Sequence, residues 1–82
     1  MERLLPAKIQ ILAFLEKNGP ARGTKISREL GISVSATYAA LRELRAAGLI
    51  KYDEVTKQYE ITDKGKAELE RIRRELAVGV VA

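Results

Sequence analysis

The sequence predicts an α+β fold, and three observations carry that reading. Apolar residues recur at helical spacing up to about Gly48, alternate with period two through GLIKYDEVTKQYEIT, and return to helical spacing after Thr62. That order gives a three-helix core, a two-stranded hairpin and a C-terminal helix. Eighty-two residues, 46% of them hydrophobic, make one small domain with a core of a size that oligomerisation often supports.

The first helix is read from Pro6, which suits a first helical turn. Leu5, Ile9, Leu12 and Ala13 form an apolar stripe that Ile11, Phe14 and Leu15 widen, so this helix is expected to be largely buried. It should stop at Asn18-Gly19-Pro20, with glycine just past the end and proline beyond it. The short segment Ala21-Arg22-Gly23 has room to pair as a brief strand. Thr24 is the expected cap of the second helix, which turns Ile26 and Leu30 inward and leaves Lys25 and Arg28 outside.

Residues 24–48 are the stretch around which the chain is organised. Leu30 closes the second helix, Gly31 supplies a C-cap at which positive φ costs little, and Ile32 is an apolar plug for the turn. Ser33 is a good N-cap for the third helix. Along that helix Thr37, Ala40, Leu41 and Leu44 recur at i, i+3, i+4 and i+7 and should face the core. The other face keeps Val34, Ser35, Tyr38, Ala39, Arg42 and Arg45. Small residues at its start and guanidinium groups further along suit a helix lying in a DNA groove, where bulk would hold the backbone away from base edges. Two helices joined by a short glycine-containing turn also fit an ordinary helical hairpin. The residues after Gly48 decide between them.

Composition narrows the chemistry. The chain has no cysteine and no histidine, so disulfides, thiol nucleophiles, the common transition-metal ligands and the usual general base are all missing. No glycine-rich phosphate loop is present, and an enzyme is not expected: the reading has no catalytic residue, no metal and no cofactor. No apolar run reaches transmembrane length and MERLLPAK lacks the apolar core of a signal peptide, so a soluble, cytoplasmic protein with no membrane partner is expected. The net charge of +4 is unevenly distributed. Residues 1–52 hold nine Lys/Arg and four Asp/Glu, a balance of +5, whereas residues 53–82 hold six and seven, a balance of −1. Positive charge therefore accompanies the groove-reading candidate. Many charged residues, one Asn, two Gln and no Cys would also suit a protein from a thermophile.

In the period-two segment Ile50 and Tyr52 share one face and Tyr59 and Ile61 another, with polar DEVTKQ between them as a loop. A helix-turn-helix followed directly by GLI, a polar hairpin and YEITDKGKAELE resembles the winged helix-turn-helix transcription regulators. NGPARGTKISREL is similar to the corresponding region of the PadR group, and the YxIT-x-KGK run resembles MarR-type and small archaeal winged-helix proteins. The resemblance covers about residues 7–76. It implies that the hairpin is a wing reaching phosphates or the minor groove, with Lys57 and Gln58 as candidates and Lys51 on the neighbouring strand. Asp53 and Glu54 in the same loop depart from a strongly basic wing. Tyr52 and Tyr59 read more simply as apolar cover for the sheet than as base-stacking groups.

Thr62 is the expected cap of the last helix, from about Asp63 to Ala77, with Glu70 and Arg74 in the favourable i, i+4 order. Residues 1–62 are read as the DNA-binding domain and 63–82 as a dimerisation helix with an apolar tail. Leu69, Ile72 and Leu76 recur at a/d-like spacing, AVGVVA follows with Val78 and Val80, and Leu4 and Leu5 add apolar surface at the other end. The resemblance implies a homodimer joined through terminal helices.

The functional expectation is sequence-specific binding of double-stranded DNA by a homodimeric transcriptional regulator. Ser35, Tyr38, Ala39 and Arg42 would face base edges, while Lys25, Arg28, Ser33, Arg45 and Lys57 would hold phosphates. No small-molecule effector is evident. Two other readings use the same fold: an architectural protein that coats DNA without sequence preference, and a winged-helix module for protein contact.

Overall fold

The computed structural model describes residues 6–81, with side chains described as far as Leu76. The elements run α1 (Ala7–Asn18), α2 (Gly23–Leu30), α3 (Val34–Ala46), β1 (Ile50–Asp53), β2 (Gln58–Ile61) and α4 (Asp63–Val81). Pro6 lies one residue ahead of α1, at the N-cap, where its carbonyl accepts from the Ile9 and Gln10 amides. Ile11, Leu12 and Leu15 are the buried residues of α1, and the helix ends at Gly19 with φ 84°.

Helices and sheet meet over one core. Ile11, Leu12 and Leu15 of α1 pack with Ile26 of α2, with Ala40, Leu41 and Leu44 of α3, and with Ile50, Tyr59 and Ile61 of the sheet. Thr37 is fully buried as well, and its hydroxyl donates to the Ser33 carbonyl at 2.9 Å, so the polar atom enters the core satisfied. The inward set expected for α3 is the set that is buried.

Between α1 and α2 the pairing for which residues 21–23 had room is realised at one residue. Ala21 and Tyr59 exchange two backbone hydrogen bonds, of 3.0 and 2.7 Å, which makes Ala21 a one-residue third strand on the outer edge of β2. This bridge corrects the start of α2. The helix begins at Gly23 with Arg22 at its N-cap and no side-chain cap, and Thr24 is already helical. The chain must turn at once after Ala21, and only a residue without a side chain fits at position 23 beside Tyr38.

The hairpin is antiparallel, with Ile50 opposite Ile61, Lys51 opposite Glu60, Tyr52 opposite Tyr59 and Asp53 opposite Gln58. That register corrects the expected division of faces: Ile50, Tyr52, Tyr59 and Ile61 all lie on the inner side. It also draws Asp53 and Gln58 out of the loop and into the strands, leaving residues 54–57 as the connection. Asp53 shapes that connection, its carboxylate accepting from the Val55 and Thr56 amides at 2.8 and 3.3 Å and its carbonyl from Lys57 at 2.7 Å. Lys57 takes φ 63° to complete the turn.

α4 starts from Thr62, whose hydroxyl accepts from the Gly65 amide and donates to the Gly48 carbonyl, tying the helix start to the end of the α3–β1 connection. Its first turns belong to the core. Leu69 is 1% exposed, and Arg73 reaches Glu16 of α1 at 2.9 Å. This corrects one expectation: Leu69 is buried in the domain's own core and has no surface to offer a partner. Ile72 is half-buried and Leu76 is exposed. Leu4 and Leu5, and the side chains of Val78 and Val80, lie outside the described residues.

Gly65 shows how close this packing is. A Cβ there would lie 2.2 Å from the Leu49 carbonyl oxygen and 2.7 Å from the Ile61 side chain. Gly65→Ala should therefore destabilise the domain by about 1–3 kcal/mol despite its better helix propensity, whereas Lys66→Ala on the exposed side should stay within about 0.5 kcal/mol. Urea unfolding of both variants checks the contrast, and equal midpoints would contradict this packing of α4.

Candidate nucleic-acid interface

The turn between α2 and α3 is fixed at both ends. Gly31 adopts the left-handed conformation with φ 67°, and the Gly31 and Ile32 amides both return to the Ser27 carbonyl. Ser27 is buried, and its hydroxyl donates to the Ile32 carbonyl. Ser33 then caps α3 by accepting from the Ala36 amide at 3.1 Å. Ser33 is exposed.

Along the exposed side of α3 lie Ser35, Ala39, Arg42 and Ala46, roughly opposite the buried stripe. Two of these are alanine and one is serine, so the helix backbone is accessible, and Arg42 stands above them as the one long side chain. Arg45 points to the flank, where its guanidinium sits over the Tyr52 ring at 5.3 Å from the centroid. Tyr52 packs on Tyr59 with centroids 4.7 Å apart, and Tyr59 meets Tyr38 edge-on at 6.5 Å. Tyr38, Arg42, Arg45, Ala46 and Tyr59 together line a groove between α3 and the root of the hairpin.

Tyr38 takes a different place from the one expected. It is half-buried, and its ring tip lies where a Cβ on Gly23 would be, 2.5 Å from that position. The ring is thus wedged between the start of α2 and Tyr59, and it supports the angle between α3 and the sheet. Sequence periodicity put Tyr38 on the outward side because its angle on the helix is intermediate; the unpaired Gly23 was the available signal that something large sits opposite. Burial pushes the Tyr59 phenol pKa up, with the neighbouring Tyr38 and Tyr52 hydroxyls adding to it.

The charges separate by use. Glu43, on the α1 side of α3, accepts from Lys8 at 2.9 Å, and that hydrogen bond and charge hold its carboxyl below the usual range. Glu68 and Glu75 flank Arg71, Glu70 faces Arg74 at 3.7 Å as expected, and Glu16 meets Arg73. Lys51 is spent across the sheet on Glu60 at 3.7 Å. Lys25, Arg28, Arg42 and Lys57 make no ion pair among the described residues, and neither do Lys17, Arg22, Arg45, Lys64 and Lys66. Gln58 is half-buried in β2. Among the described residues there is no cluster of His, Cys, Asp or Glu suited to a metal ion, and no helix is long and apolar enough to cross a membrane.

A helix-turn-helix with a capped, small-faced second helix and a hairpin locked beside it is the architecture of a winged helix. The chain belongs to the winged helix-turn-helix DNA-binding family, whose model matches residues 4–51. Solved structures agree. The transcriptional repressor CouR, in a structure bound to p-coumaroyl-CoA, is 32% identical with a TM-score of 0.81 over 92% of this chain and 54% of its own. A MarR family protein from Bacillus stearothermophilus superimposes with a TM-score of 0.76 at 20% identity, over 96% of this chain and 61% of its own, and shows the shared fold. The Zβ domain of human DAI, described with its binding modes to B- and Z-DNA, is 26% identical with a TM-score of 0.63, over 74% of this chain and 90% of its own. The chain thus spans little more than half the length of CouR and of the MarR family protein. No curated protein matches it.

The contact between Gly23 and Tyr38 is testable without any ligand. Gly23→Ala should cost about 1–3 kcal/mol in the wild type by displacing the ring. In a Tyr38→Ala background the same change should cost nothing or stabilise, since alanine favours a helix over glycine by about 1 kcal/mol. Urea unfolding of the four proteins measures the coupling, and additive effects would contradict the wedge.

Proposed function

We propose that this chain is a homodimeric transcriptional regulator that binds duplex DNA sequence-specifically, with α3 in the major groove and the wing against the neighbouring backbone. The observation that carries the reading is the exposed face of α3, where Ser35, Ala39 and Ala46 surround Arg42. Lys25, Arg28, Arg42, Arg45 and Lys57 on α2, α3 and the wing make no ion pair among the described residues and add positive charge beside that face, as Lys17, Arg22, Lys64 and Lys66 do elsewhere. The human Zβ domain described with its binding modes to B- and Z-DNA supports duplex DNA as the ligand class, and the repressor CouR supports a role in transcription regulation.

In this reading Ser35 and Ala39 let the helix approach base edges and Arg42 offers its guanidinium to a guanine. Lys25, Arg28, Ser33, Arg45 and Lys57 hold phosphates and set register. Tyr38 acts as a support, and Lys51 contributes less than an unpaired lysine would. Dimerisation through the end of α4 is supported by Leu76, 42% exposed beyond the part of the helix that the core covers, and by the apolar sequence after it.

Binding to duplex DNA should weaken steeply with salt, the log–log slope changing by about −0.9 for each phosphate neutralised. Arg28→Ala should weaken every duplex and flatten that slope by about one such step. Arg42→Ala should instead remove about 1–3 kcal/mol of discrimination at one base pair of each half-site. Anisotropy titrations over a salt series, with binding selections on both variants, separate the two roles; salt-independent binding or none at all would favour a protein-contact module.

Sedimentation at micromolar concentration should show a dimer for the full chain and a monomer for Leu76→Glu. A full-length monomer would rule out the dimer.

A further inference from the structure

We infer that Val34 is a specificity-determining residue that reads the 5-methyl group of a thymine in the major groove. The inference rests on the placement of α3 in that groove proposed above. Val34 is the first residue of α3 and is 53% exposed, one of three large apolar side chains left exposed among the described residues and the one that lies on α3. The other two, Val55 and Leu76, are at the wing tip and on α4. The fold does not account for it. Val34 lies outside the buried stripe of Thr37, Ala40, Leu41 and Leu44, and a β-branched residue is a weaker helix former than the alanines further along α3.

Its setting is rigid. The turn before it is closed by the Ile32 amide on the Ser27 carbonyl, and Ser33 is fixed by three bonds around Val34, from the Ala36 amide to its hydroxyl and from the Thr37 amide and hydroxyl to its carbonyl. A valine in a helix also has one strongly preferred χ1 rotamer, so its two methyl groups point in one direction before any ligand arrives. Beyond it Ser35, Ala36 and Ala39 are short enough to let that end of the helix close on a base pair. N-terminal residues of a recognition helix are the ones that meet base edges.

The chemistry then selects the target. Val34 has no donor or acceptor, and the major-groove edges of G·C and A·T pairs display hydrogen-bonding groups with one apolar exception, the thymine methyl. A polar edge pressed against Val34 would lose water without gaining a partner, which makes the same side chain discriminate against the other pairs.

Deoxyuridine removes that methyl and leaves the hydrogen-bonding edge unchanged. The best duplex selected by the full-length wild-type chain is resynthesised with each thymine replaced in turn by deoxyuridine, and affinities are measured by anisotropy at one salt concentration. One position in each half-site should lose about fourfold in affinity, the equivalent of one buried methylene-sized group. Val34→Ala, checked for folding by circular dichroism, should bind the unmodified site about fourfold more weakly and be indifferent to uracil at that position. A selected site without thymine, no uracil effect at any position, or undiminished uracil sensitivity in Val34→Ala each overturns the inference. The wild-type arm needs no variant, so a misfolded Val34→Ala does not spare it. Tight, salt-dependent binding with no uracil effect removes Val34 as a reader and leaves the DNA-binding proposal standing, whereas absence of binding to unmodified duplex removes both.

Discussion

Tyr59 is the residue on which the geometry of this domain depends. Its backbone pairs in both directions with Ala21, which fastens β2 to the segment between α1 and α2. Its ring, 8% exposed, lies between Tyr52 on the facing strand and Tyr38 on α3. One residue thus joins the sheet, the start of α2 and the flank of α3, and the angle between α3 and the wing follows from it. Gly23 is the necessary counterpart, since any side chain there would push Tyr38 off Tyr59.

A second constraint is electrostatic. A domain with 15 basic and 11 acidic residues has many ways to neutralise itself. Here Lys8, Lys51, Arg71, Arg73 and Arg74 take the acidic partners, on α1, the sheet's outer face and α4. These exposed pairs contribute little to stability individually. Their larger effect is on the field: with those carboxylates occupied, Lys25, Arg28, Arg42, Arg45 and Lys57 around α3 and the wing are left without an ion pair, as are Lys17, Arg22, Lys64 and Lys66 elsewhere on the described residues. Asp53, which looked out of place in a wing, is occupied too, its oxygens holding the amides of the wing turn.

Much of this was legible in the sequence because it is local. The 3.6-residue period of Thr37, Ala40, Leu41 and Leu44 needs only the helix itself, and so do the Ser33 cap, the Gly31 turn and the Glu70–Arg74 pair. The features that escaped were set by partners distant in sequence. Ala21 is tied to Tyr59, 38 positions later, so the chain turns into α2 already at Gly23, where Tyr38 leaves no room for a side chain. Tyr38 sat at an angle on α3 that is outward by periodicity and inward once β2 is in place. Leu69 fits an a/d spacing with Ile72 and Leu76, yet α4 packs its first turns against the domain and spends Leu69 in the core. Strand pairing in the hairpin depended on a loop whose length is set by the Asp53 turn, which alternation alone does not reveal.

The central claim is that the face formed by α3 and the wing, held together through Tyr59, is the surface that meets duplex DNA. Titrating duplex DNA into isotope-labelled protein and following backbone amide shifts tests it most directly. The account predicts shifts concentrated in residues 24–28, 33–46 and 54–58, with the exposed end of α1 at Glu16 and Lys17 and the Glu68–Arg74 stretch of α4 undisturbed. Shifts that cluster on α1 and the Glu68–Arg74 stretch, with α3 and the wing unmoved, would contradict it.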